Sequence, residues 1–377
     1  MRFPKATIDA SALRHNLAAV RRFAPASKVM AIIKANAYGH GLVGVAQALS
    51  SADGQELERG GRRGAAAADA FGVARLEEGL ALCEAGFAAP IVLLEGVFNS
   101  TELTRARRAA MQIVVHNVEQ IELLERSGFA RELELWCKVD TGMNRLGFRV
   151  EEFPAVWARV RQLAPKQLRL MTHLAASEIA DGPMTAEQLA RFEALPTDPG
   201  IERSIANSAG LIQSAQARAD WVRPGLMLYG ISPIPNVTAA ELGLRPAMTL
   251  ATQLIAVRTV PAGETVGYNG MWRAPRDAVI GIAAVGYGDG YLRNMRSGAP
   301  VLVNGQETQV VGRVSMDMTA IDVTGLEVRV GDRVTLWGEG LPIERVAPFA
   351  DAIPYELVCG ISQRVALEWA APGSSRS

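Results

Sequence analysis

The sequence predicts an α/β protein, an N-terminal (β/α)8 barrel followed by a mainly β C-terminal domain. Three observations predict it. The chain has 377 residues, enough for two domains and a large core. Over the first ~240 residues, short apolar strands alternate with amphipathic helical patterns. After Pro246 the helical period stops, and strands separated by tight turns take over. An open doubly wound sheet is the competing architecture, but no GxGxxG string follows the first strand of the alternating region.

The opening stretch 6–8 is strand-like and can pair with the later β region. Eight barrel strands are predicted at 28–34, 70–74, 91–94, 111–115, 134–139, 168–173, 203–206 and 221–223. Helical patterns such as 41–50, 76–85, 118–127 and 185–195 run between them. The last two strands carry the weakest pattern. Residues 50–69 are rich in Gly, Ala and Arg without a clean period, which predicts a surface loop on the barrel face away from the chemistry. The β region is predicted to hold strands at 248–260, 279–285, 301–303, 308–311, 318–323 and 333–336. Turns fall at Pro261-Ala262-Gly263, Asn304-Gly305 and Gly331-Asp332. The predicted domains are therefore 9–240 for the barrel, and 1–8 with 241–377 for the β domain. The tail 372–377 reads as disordered.

Composition excludes several function classes. Lys plus Arg and Asp plus Glu are both 39, so the chain offers no basic excess for nucleic acid or an anionic membrane. No apolar run approaches the ~20 residues needed to span a bilayer, and residues 1–10 hold no apolar signal core. Cys83, Cys137 and Cys359 are far apart and show no CxxC spacing, which predicts reduced, packed thiols and no metal site. These features together predict a cytoplasmic enzyme. Only five of the 39 basic residues are lysines: Lys5, Lys28, Lys34, Lys138 and Lys166. Where lysine survives, its amine chemistry can be the reason, since arginine neither forms an imine nor gives up its proton near neutral pH.

The unusual residues fall at one end of the predicted barrel. Lys34 ends the first strand, Arg145 follows the fifth and His173 ends the sixth. Asn207 and Ser208 follow the seventh, and Arg223 and Gly225 follow the eighth. Barrel enzymes build their sites at these strand ends, often with phosphate held after strands seven and eight. A strand-end lysine beside a phosphate pocket points to pyridoxal phosphate bound through the lysine amine. Taken singly, these residues have plainer readings. Ser208 can cap a helix, His173 can be a satisfied core histidine, and each tyrosine can be packing.

Local strings sharpen the reading. Ala31-Ile32-Ile33-Lys34-Ala35-Asn36-Ala37-Tyr38-Gly39-His40-Gly41 resembles the cofactor-lysine motif of alanine racemases. So do Lys138-Val139-Asp140-Thr141-Gly142-Met143-Asn144-Arg145-Leu146-Gly147, Asn207-Ser208-Ala209 and Val222-Arg223-Pro224-Gly225-Leu226. In the β region, Gly263-Glu264-Thr265-Val266-Gly267-Tyr268, Gly286-Tyr287-Gly288-Asp289-Gly290 and Gly312-Arg313-Val314-Ser315-Met316-Asp317 are similar to the same family. The resemblance runs from about Lys5 to Val365, except that 50–69 is longer than usual.

The resemblance implies pyridoxal 5'-phosphate as cofactor and interconversion of L- and D-alanine, for peptidoglycan supply or for D-alanine breakdown. Lys34 would hold the cofactor aldehyde and then serve as one base. Tyr268 would be the second, acting across the interface of a homodimer with shared sites. Racemisation needs a proton acceptor on one face of the α-carbon and a donor on the other. A phenol is a weak base at neutral pH, so a cation such as Arg145 must help it. Tyr38, Ser208 and the backbone N–H groups near Gly225 and Leu226 would hold the phosphate, with Asn207 and Tyr355 also near the cofactor. Arg223 would face the pyridine nitrogen. A guanidinium is a donor only, so the ring stays unprotonated and is a weaker electron sink, which disfavours transamination. His173 would donate to Arg223 or orient it.

The resemblance also gives Arg145 to the cofactor phenolate and the substrate carboxylate. Tyr287, Met316 (through its N–H), Asp317 and Tyr355 would crowd the substrate. Lys138 would be carbamylated to brace Arg145; a pairing with Asp140 is the alternative. Two other readings compete. A barrel-type decarboxylase carries an acid at the pyridine nitrogen, and Arg223 opposes it; a broad racemase shares the same chemistry. A non-catalytic cofactor-binding barrel would have no use for Tyr268.

Overall fold

The computed structural model describes residues 4–50 and 67–370. Eight parallel strands close into a barrel: Lys28–Ile32, Ala70–Val73, Ile91–Leu93, Gln112–Val115, Glu134–Asp140, Gln167–Met171, Arg203–Ser204 and Trp221–Val222. Closure comes from the last strand, where Trp221 pairs with Lys28 and Val222 with Val29. The strands Ala70–Val73, Ile91–Leu93 and Gln112–Val115 are buried at every position. A parallel strand wrapped by helices is covered on both faces, so its sequence is continuously apolar instead of alternating.

Helices between the strands are set by short polar caps. Asn99 accepts the N–H of Glu102, and Asn117 that of Gln120, which places Ser100–Arg108 and Val118–Ser127. Asp9 does the same for Ala10–Phe23, accepting from Ser11 and Ala12. Each of these helices keeps one or more basic residues in its last turn, where the helix dipole favours them.

The β domain is built on Met248–Val260, a 13-residue strand with an irregularity between Leu254 and Ala256. It pairs with Ala278–Ala283, with Arg333–Trp337 and with Lys5–Ile8. The chain's first strand thus belongs to the second domain's sheet, as the 6–8 reading expects. Its other neighbour, Ala366–Trp369, runs parallel to it and has no counterpart in the sequence reading. One continuous apolar core spans both regions, including Phe71, Trp136, Phe153 and Tyr229 in the barrel and Tyr291 and Trp337 in the β domain. The two regions are therefore packed into each other. Among the described residues no helix is long and apolar enough to cross a membrane. Most of the predicted loop 50–69, and the tail 372–377, lie outside the described residues.

Candidate active site

The first barrel strand ends at Ile32, two residues before Lys34. Lys34 instead opens a turn in which Ala35, Asn36, Ala37 and Tyr38 all have φ between 51° and 55°. Four consecutive non-glycine residues in the left-handed region cost about 1–2 kcal/mol each, so their surroundings must over-determine them. They do. The N–H of Ala37 bonds Ile33 O at 2.8 Å, that of Gly39 bonds Ala35 O at 3.1 Å, and that of Gly41 bonds Asn36 O at 3.0 Å. The Asn36 side chain accepts from Leu42 N at 2.9 Å, and His40 Nδ1 lies 2.8 Å from Tyr38 O. Gly39 closes the turn at φ 77°, and an added Cβ there would lie 2.1 Å from Val358 O. The β-domain helix Pro354–Cys359 is pressed against this turn, and only glycine fits between.

The turn directs Lys34 into a half-buried, cation-rich site. Burial, then the charge of Arg145, pushes the Lys34 amine below its ordinary value, against the opposing Glu95, Glu78 and Cys359. Tyr38 ends the turn with its ring 4.8 Å from Tyr229 and 5.7 Å from Tyr355. Burial first, and then Tyr355 and Cys359, hold its phenol well above the usual range, so it stays a neutral donor. Tyr229 is fully buried and donates to Ile32 O at 3.0 Å.

Tyr38, Ser208 and Gly225 converge. Ser208 Oγ accepts the N–H of Gly225 at 2.9 Å and of Met227 at 3.3 Å. The cap of helix Ser208–Gln213 is Asn207, whose Oδ1 takes Gly210 N at 2.9 Å and Ser177 Oγ at 2.8 Å. Ser208 is therefore not the cap, and its hydroxyl is turned toward Gly225 and the base of the Leu226–Tyr229 turn. An added Cβ at Gly225 would lie 2.6 Å from the Tyr38 hydroxyl. This is a cradle of neutral donors and open backbone of the kind that holds a phosphate.

Arg223 is buried and held from behind. Its Nη1 donates to Ser204 Oγ at 2.6 Å, and its Nη2 to Thr172 O at 2.6 Å and Ile205 O at 3.1 Å. Its Nε–H and the second Nη1 hydrogen have no partner among the described residues and are the donors left for a ligand. His173 Nδ1 lies 3.3 Å from Nη2. The expectation that His173 donates to Arg223 is corrected here, because a guanidinium has no lone pair to accept with. Burial, then Arg223, Lys138, Arg145 and Lys34, hold His173 well below its ordinary value, so its ring is neutral and accepts. Burial alone lowers Arg223, to about 10, which leaves it charged at neutral pH.

Lys138 lies in the same cluster, lining a crevice with Arg145 and His173. Burial first, then Arg223, Arg145 and Lys34, push its amine down to about 8. The alternative pairing with Asp140 does not form. The Asp140 carboxylate is filled by the N–H groups of Gly142, Met143, Asn144 and Arg145 at 2.8–3.0 Å. Burial raises that carboxyl, but the four backbone donors outweigh it and leave it below its ordinary value. Asp140 shapes the loop that carries Arg145, and its charge acts on Lys138 without a direct ion pair among the described residues.

The β-domain residues are placed differently. Tyr268 stands in a turn between the paired strands Thr265–Val266 and Trp272–Arg273, is 64% exposed, and makes no hydrogen bond or ring contact among the described residues. None of the groups that act on Lys34 belongs to that hairpin. Tyr287 and Met316 are exposed neighbours: Tyr287 N bonds Ser315 O at 3.1 Å, and Gly288 N bonds Met316 O at 2.9 Å. The Asp317 carboxylate is engaged by Arg364 at 2.6 Å, which also pairs with Asp289 at 3.2 Å. Within one chain, then, Lys34, Tyr38, Arg145, His173, Ser208, Arg223, Gly225 and Tyr355 are brought together, and Tyr268, Tyr287, Met316 and Asp317 are not. The sequence reading missed Glu78, Thr172 and Ser204. Their contacts are with backbone, with Arg223 or, for the Thr172 hydroxyl, with Thr141 Oγ1 at 2.9 Å, and no spacing in the chain signals them.

Comparison with known proteins follows this geometry. Residues 8–233 match the family described as alanine racemase, N-terminal domain, and residues 247–369 the alanine racemase C-terminal domain. The alanine racemase of Shewanella loihica is 46% identical over 369 residues, covering 97% of this chain and 98% of that one. The alanine racemase of Aeromonas hydrophila is 46% identical over 367 residues, with the same coverage. The crystal structure of a biosynthetic alanine racemase from Pseudomonas aeruginosa matches with a TM-score of 0.90 at 42% identity, over 98% of this chain and 100% of that one. An alanine racemase structure from Bartonella henselae, described with covalently bound pyridoxal phosphate, matches at 0.85 with 27% identity, over 98% of this chain and all of that one. With both domains matched in order along nearly the whole length, this chain belongs to the alanine racemase family.

Proposed function

We propose that this chain interconverts L- and D-alanine through two opposed proton carriers, Lys34 Nζ and the Tyr268 hydroxyl of a partner subunit, with pyridoxal 5'-phosphate as cofactor. The observation that carries the reading is the cluster of Lys34, Lys138, Arg145 and Arg223 beside the Tyr38–Ser208–Gly225 cradle. Four cationic side chains facing one site suit a ligand with a phosphate, a phenolate and a substrate carboxylate. The backbone opening at Gly225, which a Cβ would fill, suits the phosphate. The residues present therefore fit the cofactor. When bound, it supplies an electron sink that makes the α-proton of the amino acid removable.

The chain's own residues do the rest. Lys34 would carry the cofactor, and its depressed pKa raises the share of neutral amine, which can both bond the cofactor and take a proton. Tyr38, Ser208 and the N–H groups near Gly225 and Leu226 would hold the phosphate, with Asn207 fixing the helix behind them. Arg223 Nε–H would meet the pyridine nitrogen as a donor. Arg145 would take the substrate carboxylate. Lys138, already pressed toward its neutral amine, is suited to react with carbon dioxide; the resulting carbamate would place an anion among Arg145 and its fellow cations. Tyr287, Met316 and Tyr355 would limit the side chain to a methyl, and Asp317 would hold its loop through Arg364.

The domain roles follow. The barrel, 9–240, would hold the cofactor. The β domain, 1–8 and 241–377, would present Tyr268 to a second copy, since the hydroxyl is exposed and unengaged on its own chain.

The test is direct. The purified protein, loaded with pyridoxal phosphate, is given L-alanine in D2O and followed by circular dichroism. The signal is expected to decay to zero as the enantiomers equalise, with solvent deuterium at Cα of the product. L-leucine and L-lysine should react far more slowly. Comparable turnover of lysine would replace the alanine reading with a broad racemase.

A further inference from the structure

Glu78 stands in the first turn of helix Leu76–Glu84, after the second barrel strand. Its Oε2 accepts the N–H of Ala74 at 2.9 Å and of Arg75 at 3.2 Å, closing the start of its own helix. Its Oε1 does something a helix cap does not require. It accepts the N–H of Ala35 at 2.7 Å, 43 residues away in sequence. Ala35 directly follows Lys34 and is the first of the four left-handed residues. One carboxylate therefore ties the ends of two neighbouring barrel strands together at the residue that sets the direction of the Lys34 backbone.

We propose that Glu78 is a positioning residue for Lys34, gripping the Ala35 N–H so that the strained turn delivers the amine to one face of the α-carbon. The inference rests on the reading that Lys34 carries a proton in the reaction. The physical need is clear. A left-handed run of Ala, Asn, Ala and Tyr is costly and relaxes unless each peptide is held. The other bonds of the turn hold its middle and its end, and Glu78 holds its start. Amine and α-carbon must also stand about 3–3.5 Å apart and aligned, and a misplacement of about 1 Å can cost a hundredfold in rate. Glu78 has a second effect through its charge. The charged and titratable groups facing Lys34 are Glu78 and Glu95, which favour its ammonium form, Arg145 and Lys138, which oppose it, and the Cys359 thiol. Removing the Glu78 charge shifts the balance toward the free amine.

Glu78→Gln keeps the shape and one acceptor, but it puts an NH2 group against a backbone N–H. Two readouts are expected to move together. In the cofactor-free protein, competitive acetylation of Lys34 measured by mass spectrometry should show its titration midpoint shifted to lower pH. In the loaded enzyme, kcat should fall by about tenfold or more, with KM within about twofold, as expected for misplacement of a reacting group. A variant with wild-type kcat and an unmoved Lys34 midpoint overturns the proposal. A further measurement needs no variant. Ala35 is solvent-exposed, so its amide in the wild-type protein should exchange slowly only because Glu78 holds it. Exchange of peptides covering 34–38 at the rate of free amides would equally overturn it. Lys34→Ala separates the two readings: an active Lys34→Ala sinks the reading of Lys34, whereas an inactive Lys34→Ala beside a normal Glu78→Gln sinks only the role of Glu78.

Discussion

Arg223 Nη2 lies 3.3 Å from His173 Nδ1, and this contact settles which of the two gives the proton. The guanidinium cannot accept, so the imidazole must. His173 is thereby fixed as a neutral imidazole backing a charged guanidinium. Its carbonyl is held in turn by Gln188 Nε2 at 3.0 Å, and Gln188 also reaches Thr141 Oγ1 at 3.2 Å.

Arg223→Met should therefore have two effects. The carbonyls of Thr172 and Ile205 and the hydroxyl of Ser204 lose their donor in a buried place, at about 1–3 kcal/mol for each group left unpaired. Calorimetry should show a melting temperature lower by several degrees. His173, relieved of the adjacent cation, should titrate at higher pH in imidazole NMR. An unmoved His173 would mean that Arg223 is not what holds it neutral.

Lys138 gives a pH prediction. Its folded-state value, about 8, is lower than the ordinary 10.5 of an unfolded chain. Between those values the unfolded state binds more protons, so this group makes stability rise with pH across that window in the cofactor-free protein. Below about 8 the charged amine is carried as a penalty, and above about 10.5 the contribution levels off. Lys138→Met should flatten the rise in denaturant titrations run across that range. With 13C-labelled bicarbonate near neutral pH, the wild type should show a carbamate carbon resonance that Lys138→Arg lacks. Its absence in the wild type would remove the carbamate from the site.

Gly225→Ala probes the phosphate cradle. An alanine methyl at Gly225 would lie 2.6 Å from the Tyr38 hydroxyl. Equilibrium dialysis should show pyridoxal phosphate bound at least about tenfold more weakly, the cost of losing one or two hydrogen bonds to a charged group. The cofactor-free protein should also melt at a lower temperature, because the buried Tyr38 ring must shift to admit the methyl. Unaltered cofactor affinity would place the phosphate elsewhere.

Much of this was legible in the sequence because the signals are local. Apolar runs such as Ile91–Leu93 announce buried parallel strands, and the motifs around Lys34, Arg145 and Arg223 sit beside those strands. Arg203–Ser204 and Trp221–Val222 were faint because only two residues in each form ladder bonds. The left-handed turn was invisible, since 35–38 falls between the predicted strand and helix with no glycine before Gly39, and packing against Val358, the bond to Glu78 and the turn's own bonds set its hand. Ala366–Trp369 was missed because its partner, Lys5–Ile8, lies at the far end of the chain. Glu78 was missed because a carboxylate in the first turn of a helix carries no mark of a partner 43 residues away. Tyr268 was legible by motif alone, for on its own chain it touches nothing that would mark it.

The shared site is tested most directly by mixing two inactive variants, Lys34→Ala and Tyr268→Phe. The chains are co-expressed or refolded together so that dimers form at random, and the mixed fraction is confirmed by native mass spectrometry. A two-fold dimer has two equivalent interfaces, so a mixed dimer carries one site with both defects and one with neither. Random pairing makes about half of the dimers mixed, and racemisation of alanine should recover to about a quarter of the wild-type rate. If Tyr268 served the Lys34 of its own chain, every site would keep one defect, and mixing would restore no activity.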